Sequence, residues 1–280
     1  MSLISIIIPN HNYGRFVGAA VESALAQSYR DIEVVVVDNG STDNSVEILR
    51  QYQSRIKLIT QENRGQAEAR NRGIIEASGK YFAFLDADDV WLPHKLESQI
   101  KLMNSPEIGL VYSGCMKVDQ DLNPEQAMYP KYTGRVLKQF ASGIGAVVIA
   151  GESTSLIRRE CIERCGLLDP NLSTSSGWDL YRRIATRYAF AAVFEPLVLY
   201  RQHGDNWSLR TKVFETDWLY CLKKMFDDEN AAAVHHLEAA CFKNAYRALT
   251  ITSWRAGRKS DATKFLGRYL WQTARKSISL

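Results

Sequence analysis

The sequence predicts an α/β fold built on a mostly parallel central sheet, and three observations carry that expectation. Over the first hundred residues, short β-branched runs alternate with segments whose apolar residues recur every three or four positions. The strand-like runs are apolar at consecutive positions, as in strands covered by helices on both faces. Polar and acidic residues gather directly after those runs, where open α/β sheets bind their ligands.

Each element follows from its own pattern. Ile4 to Ile8 is a continuous β-branched run that stops at Pro9, and Arg15 to Gln27 places Phe16, Val17, Ala20, Val21, Ala24 and Leu25 on one helix face. Ile32 to Val37 is a second strand ending in Asp38. Asn39-Gly40-Ser41-Thr42-Asp43 then supplies turn residues and a helix start before Val46, Ile48 and Leu49. Ile56 to Thr60, Arg64 to Ala77 and Tyr81 to Leu85 read as strand, helix and strand, and Pro93 opens the next helix from its first turn. Such alternation implies right-handed crossovers between parallel strands.

Beyond residue 105 the pattern loosens. Leu110 to Ser113 reads as a strand, and residues 119–145 as a long loop or lid, rich in Gly, Pro and polar residues. Arg158 to Cys165 and Asp179 to Tyr188 read as helices, and Phe194 to Tyr200 as a strand. After Ser208 the chain is helical, with three apolar stripes: Phe214, Trp218, Leu222, Met225 and Phe226; Val234, Leu237, Cys241, Ala245, Ala248 and Leu249; then Ala262, Phe265, Leu266, Tyr269 and Leu270.

Composition narrows the class. Of the 280 residues, 46% are apolar and 24% charged, ordinary for a globular chain able to bury a full core. Thirty-five basic against 31 acidic residues leave +4, too mild a charge to argue for a nucleic-acid partner. No apolar run approaches the roughly 18 residues a membrane span requires, and Met1-Ser2-Leu3-Ile4-Ser5 has no basic leader. The five cysteines (Cys115, Cys161, Cys165, Cys221, Cys241) form no zinc-ligand pattern. Reduced core thiols, and hence a cytoplasmic protein, are expected.

The most telling segment is Tyr81-Phe82-Ala83-Phe84-Leu85-Asp86-Ala87-Asp88-Asp89, an apolar strand that runs into three carboxylates. Like charges at that point repel and resist desolvation unless a cation neutralises them. Hard carboxylate oxygens suit Mg²⁺ or Mn²⁺. Pro9 to Asn12, Asp38 to Asp43 and Asp86 to Asp89 all follow strands and could line one crevice. Asp38 is then either a turn residue or an acceptor for a base N–H, and Arg64, Arg70 and Arg72 are either solvated or balance phosphate charge.

Four motifs stand in order: Ser5–Asn12 (SIIIPNHN), Val35–Asp43 (VVVDNGSTD), Asn63-Arg64-Gly65 with Ala69–Gly73 (ARNRG), and Phe84–Asp89 (FLDADD). In this order and spacing they resemble the inverting glycosyltransferases of family 2, with the GT-A fold. The resemblance is clear over about residues 4–100, fainter through Leu156–Arg159, Gly166–Asp169 and Trp178–Arg183, and ends with Tyr200–Gly204. It implies a nucleotide-sugar-binding half over residues 1–104 and an acceptor-binding half over 105–208; the helical extension expected over 209–280 lies outside it.

By that resemblance Asp38 would bind the base, often uracil in this family, with Pro9 and Asn12 shaping the same pocket. Arg70 would sit near the nucleotide, Asp86 near the ribose, Ala87 between, and Asp88 on the metal (Mn²⁺ or Mg²⁺) and diphosphate. His203 would be a further metal ligand or else a hydrogen-bonded loop histidine. The acceptor would be a glycan or a lipid-linked glycan, as in cell-surface polysaccharide synthesis. Family members commonly carry a Glu-Asp pair before an aromatic-Asp-Leu helix start, and one of the pair takes the acceptor's proton. Here the segment reads Ser176-Gly177-Trp178-Asp179-Leu180, so the pair is missing and only Asp179 remains. Asp179 is the expected base or else an acid at a helix N-terminus, with Asp169 and Glu152 as substitutes. Trp178 and Trp207 could stack on a sugar or pack in the core.

Residues 254–276 carry Arg255, Arg258, Lys259, Lys264, Arg268, Arg275 and Lys276 against the single acid Asp261. With Trp254, Tyr269 and Trp271 they suit a peripheral membrane contact, a hairpin docked on the catalytic part, or a homodimer contact. A sugar-nucleotide nucleotidyltransferase would need a Gly-rich loop after the first strand, which Pro9–Gly14 lacks. A phosphatase would need its acids after the founding strand. A non-catalytic nucleotide-sugar or glycan binder fits the missing acidic pair.

Overall fold

The computed structural model describes residues 2–143, 146–204 and 211–278. Its first half is β1 (Ile4–Asn10), α1 (Gly14–Leu25), β2 (Ile32–Asn39), α2 (Ser45–Arg50), β3 (Lys57–Gln61), α3 (Gln66–Glu76) and β4 (Tyr81–Phe84). These four strands are parallel, in the order β3-β2-β1-β4. Their apolar runs are explained by helices on both faces. Ile7, Val35, Val37, Phe82 and Phe84 enter one buried cluster, while Ile4, Ile6, Ile8, Val34, Val36, Ala83 and Leu85 enter the other. In β1 to β4 the alternation of strand side chains splits between two cores.

The second half departs from a purely parallel sheet. It comprises β5 (Val90–Trp91), α4 (Lys95–Ile100), β6 (Ile108–Val118), β7 (Pro124–Met128), α5 (Leu137–Phe140), a 3₁₀ turn Gly151–Thr154, β8 (Ser155–Arg158), α6 (Arg159–Cys165), α7 (Ser176–Ala185) and β9 (Ala189–Arg201). β8 pairs antiparallel with both β4 and β6, and β5 antiparallel with β9, so one sheet continues as β4-β8-β6-β9-β5. The parallel pairs are those among the first four strands and β6 beside β9. Part of the loop expected at residues 119–145 is ordered, since β7 folds back on β6.

The remainder is α8 (Thr211–Asp227), a 3₁₀ segment Glu229–Leu237, α9 (Glu238–Arg255) and α10 (Lys259–Ile278). Leu222, Met225, Phe226, Val234, Cys241 and Ala245 join the cluster that covers α7, so the helical tail closes the second core. The five cysteines are free thiols, and those of Cys115, Cys161, Cys221 and Cys241 are pushed up to about 12 or beyond by burial. No helix among the described residues is long and apolar enough to cross a membrane.

Candidate active site

The strand order reverses between β1 and β4, and a pocket of about 320 Å³ opens there beyond their carboxyl ends. Pro9 and Tyr13 line it after β1, Asp86, Ala87 and Asp88 after β4, and Gln66 and Arg70 from α3. Glu152 enters from the 3₁₀ turn, with Thr174, Tyr200 and Phe214 at the rim. A smaller pocket of about 110 Å³ adjoins it, sharing Pro9, Tyr13 and Gln66 and adding His11, Asn39, Asn63 and Gly65.

Arg70 is the electrostatic centre. Its guanidinium is buried and donates to Asp86 Oδ1 at 2.5 Å, while Nη1 lies 3.2 Å from Glu152 Oε1. Burial alone would lower its pKa, but the carboxylates of Glu152 and Asp86 outweigh that and raise it, so the cation is fixed. Its Nε has no partner among the described residues. Burial and the charges of Glu152 and Asp88 push the Asp86 carboxyl up to about 6 despite Arg70.

The other two acids of the run divide in role. Asp88 Oδ2 meets His203 Nε2 at 3.1 Å, and the His203 ring is held by Tyr13 and Phe16, with centroids 5.6 and 4.9 Å away. Two residues 115 apart in sequence thus converge as one N,O pair. No group of three His, Cys, Asp or Glu side chains able to hold a metal is found among the described residues. The donor set fits a Mg²⁺- or Mn²⁺-type ion that takes its other oxygens from a diphosphate and water. Asp89 is buried instead, accepts from Arg201 N–H at 3.0 Å, and is raised well above the carboxylate range by burial and by Asp88 and Asp86.

Several expected residues are placed differently. Asp38 is buried and lines neither pocket: its carboxylate accepts from Asn10 Nδ2 at 2.8 Å and from Ser41 N–H and Oγ at 3.0 and 2.6 Å. It braces the turn after β2, and the adjacent Asn39 faces the smaller pocket. Asn12, at φ 57°, likewise lines neither pocket and accepts from Thr42 N–H at 2.7 Å, tying the β1–α1 loop to the β2–α2 loop. His11, Asn39 and Asn63 were not singled out as site residues, although their motifs were. His11 Nδ1 lies 2.9 Å from Asn39 O, and its Nε2 3.1 Å from Asn63 Nδ2.

Asp179 is not brought to the pocket. It is fully buried, with Oδ1 taking Arg182 and Oδ2 taking Arg183 at 2.9 Å and Lys224 at 3.5 Å. With both oxygens engaged by cations, it joins α7 to α8. Asp169 is paired with Lys224 at 2.6 Å and lines neither pocket. Trp178 packs edge-on against Phe140 at 5.2 Å, and Trp207 lies outside the described residues.

The model of Glycosyl transferase family 2 matches residues 5–166. An uncharacterised glycosyltransferase of Nostoc sp. is 35% identical over 216 residues, 72% of this chain and 66% of its own length. The UDP-Glc:alpha-D-GlcNAc-diphosphoundecaprenol beta-1,3-glucosyltransferase WfgD of Escherichia coli is 36% identical over 162 residues, 55% of this chain and 62% of its own. The chain therefore spans slightly under two thirds of the length of each of these relatives. The crystal structure of S. aureus TarS 1–349 in complex with UDP-GlcNAc superposes with a TM-score of 0.71 at 14% identity, covering 97% of this chain and 81% of that one. That likeness shows the same GT-A fold, and with the family match it is decisive: the chain belongs to glycosyl transferase family 2.

Proposed function

We propose that the chain is an inverting, metal-dependent transferase that moves a sugar from a UDP-sugar to a hydroxyl of a glycan or lipid-linked acceptor in cell-surface polysaccharide synthesis. The observation that carries this reading is the convergence of Arg70, Asp86 and Asp88 in one pocket between β1 and β4, with His203 held against Asp88. The smaller pocket beside it, lined by amide side chains and His11, suits a nucleobase; the larger takes diphosphate and sugar. The named activity of WfgD, which joins a UDP-sugar donor to a diphosphoundecaprenol-linked acceptor, supports the same chemistry, as does the UDP-GlcNAc bound by TarS.

Displacement at the anomeric carbon expels a nucleoside diphosphate, whose developing charge is the principal demand on the site. A divalent cation would supply Lewis-acid stabilisation of that charge when bound, and Asp88 and His203 would hold it. Arg70 sets the local positive charge and fixes Asp86, whose carboxyl would meet ribose hydroxyls. Tyr13, Tyr200 and Phe214 line the pocket and would flank the sugar.

Turnover decides the matter. The chain is incubated with UDP-glucose, UDP-GlcNAc or GDP-mannose, a GlcNAc-diphospholipid acceptor and Mn²⁺, and product and nucleotide release are followed. UDP-sugar consumption that needs the metal, and that Asp88→Asn lowers by about 100-fold or more, is expected. Metal-independent consumption, or none with any donor, contradicts the reading.

A further inference from the structure

Where the family resemblance implies an acidic pair before the helix start, this chain has Ser176 and Gly177, in the first turn of α7. Gly177 has no side chain, yet its place is not empty. A Cβ built there would lie 2.2 Å from Glu152 Oε1 and 2.6 Å from Glu152 Cδ. The Glu152 carboxylate therefore fills the volume into which a side chain at 177 would project. It reaches that place from a different segment of the chain and lines the pocket with Asp86 and Asp88.

We propose that Glu152 is the proton acceptor for the incoming hydroxyl, supplying from the 3₁₀ turn the carboxylate that α7 lacks; the inference rests on the transferase reading above. The turn is built to hold it. Ala150 before it has left-handed backbone angles, φ 50° and ψ 39°, a conformation that a non-glycine residue keeps only when its surroundings enforce it. Ser153 accepts from Asp86 N–H at 3.0 Å, its carbonyl accepts from Trp91 Nε1 at 2.8 Å, and Thr154 Oγ1 donates to Ile149 O at 2.8 Å. The carboxylate itself is 14% exposed, 3.2 Å from Arg70 Nη1 and beside the amino end of α7, where the helix dipole favours an anion. Of the remaining pocket acids, Asp86 holds the shorter contact to Arg70, at 2.5 Å, and Asp88 meets His203.

The step balances without a further reagent. The acceptor oxygen forms a bond to the anomeric carbon as its proton passes to Glu152. The bond from that carbon to the diphosphate oxygen breaks, and its electron pair leaves with the nucleoside diphosphate. Arg70 contacts both Glu152 and Asp86, so one cation bridges the proton-accepting and leaving-group sides of the site.

The test uses UDP-glucose and UDP-GlcNAc with Mn²⁺, with water and then sodium azide as the acceptor, followed by mass spectrometry at stoichiometric enzyme. Azide attacks without losing a proton, so it separates a missing base from a damaged site. Glu152→Gln is expected to bind UDP within about threefold of wild type while hydrolysing the donor about 10²–10⁴-fold more slowly. Azide is expected to restore donor consumption as a glycosyl azide. The double variant Glu152→Ala with Gly177→Asp, which moves the carboxylate back to α7, is expected to recover part of the lost hydrolysis. Wild-type rates in Glu152→Gln overturn the proposal. So does a slow variant rescued neither by azide nor by the transposed acid, since that marks Glu152 as only a partner of Arg70. Wild-type chain that fails to bind or cleave any UDP-sugar instead defeats the transferase reading itself.

Discussion

Arg70 and Lys95 are both buried cations, and their surroundings give them opposite behaviour. Arg70 sits between two carboxylates and is fixed as a charge. Lys95 is fully buried, its Nζ donates to Gln99 Oε1 at 2.8 Å, and among the described residues no acid forms an ion pair with it. Burial holds its pKa well below the ordinary lysine range. The unfolded chain therefore binds the proton more tightly, so stability contributed by this site rises with pH above the folded value and is lost as pH falls through it. Thermal unfolding of wild type and Lys95→Met, compared from about pH 6 to about pH 8 and so below the ordinary thiol range, is expected to show wild type gaining on the variant by up to about 1.4 kcal/mol per pH unit. Parallel curves would show that Lys95 does not titrate there. At this scale the sequence was partly legible. Asp86 and Asp88 announce themselves because an apolar strand ends in them. Asp38 does not, because a strand buried on both faces leaves no sign of which way each side chain turns, and Asn10 and Ser41 take its carboxylate inward. The surroundings of Asp179 and Glu152 are illegible for a similar reason. Their partners, Lys224 for the one and Arg70 and Gly177 for the other, lie far along the chain.

Elements with strong periodicity, β1 to β4 and α1 to α3, fall where their patterns put them. Those decided by long-range pairing do not: β8 is a four-residue strand recognisable only because β4 and β6 flank it, and β7 exists because β6 is long enough to receive it. The carboxyl-terminal helices show a further property of whole elements. Ile251 and Trp254 on α9, and Leu266, Leu270 and Trp271 on α10, are exposed, and Arg255, Lys259, Lys264 and Arg268 stand exposed on the same two helices. Arg258 differs, being taken up by Glu215 and Asp261. We propose that this aromatic and basic hairpin rests on an anionic membrane surface, where a lipid-linked acceptor is found. Co-sedimentation with vesicles containing phosphatidylglycerol should be lost with Trp254→Ala/Trp271→Ala and reduced by salt, and absent from neutral phosphatidylcholine vesicles. Equal binding by the double variant would remove the membrane role.

Over the whole molecule, one sheet joins a parallel half that presents strand ends to a ligand and a mixed half that brings Glu152 to the same opening and His203 against Asp88. The parallel half is what the motifs describe, and Asp86 and Asp88 were legible for that reason. The mixed half carries no comparable motif, and its contribution depends on how β8 and β9 dock beside β4 and β6. The central claim is that Asp88 and His203, contributed by the two halves, together seat a metal-bound nucleoside diphosphate. Calorimetric titration of UDP into the chain, with and without Mn²⁺, tests it in wild type and in Asp88→Asn. The account predicts that Mn²⁺ tightens UDP binding at least about tenfold, equivalent to about 1.4 kcal/mol, and that Asp88→Asn abolishes the gain while leaving metal-free binding unchanged. UDP affinity indifferent to Mn²⁺, or an Asp88→Asn variant that keeps the full gain, would contradict it.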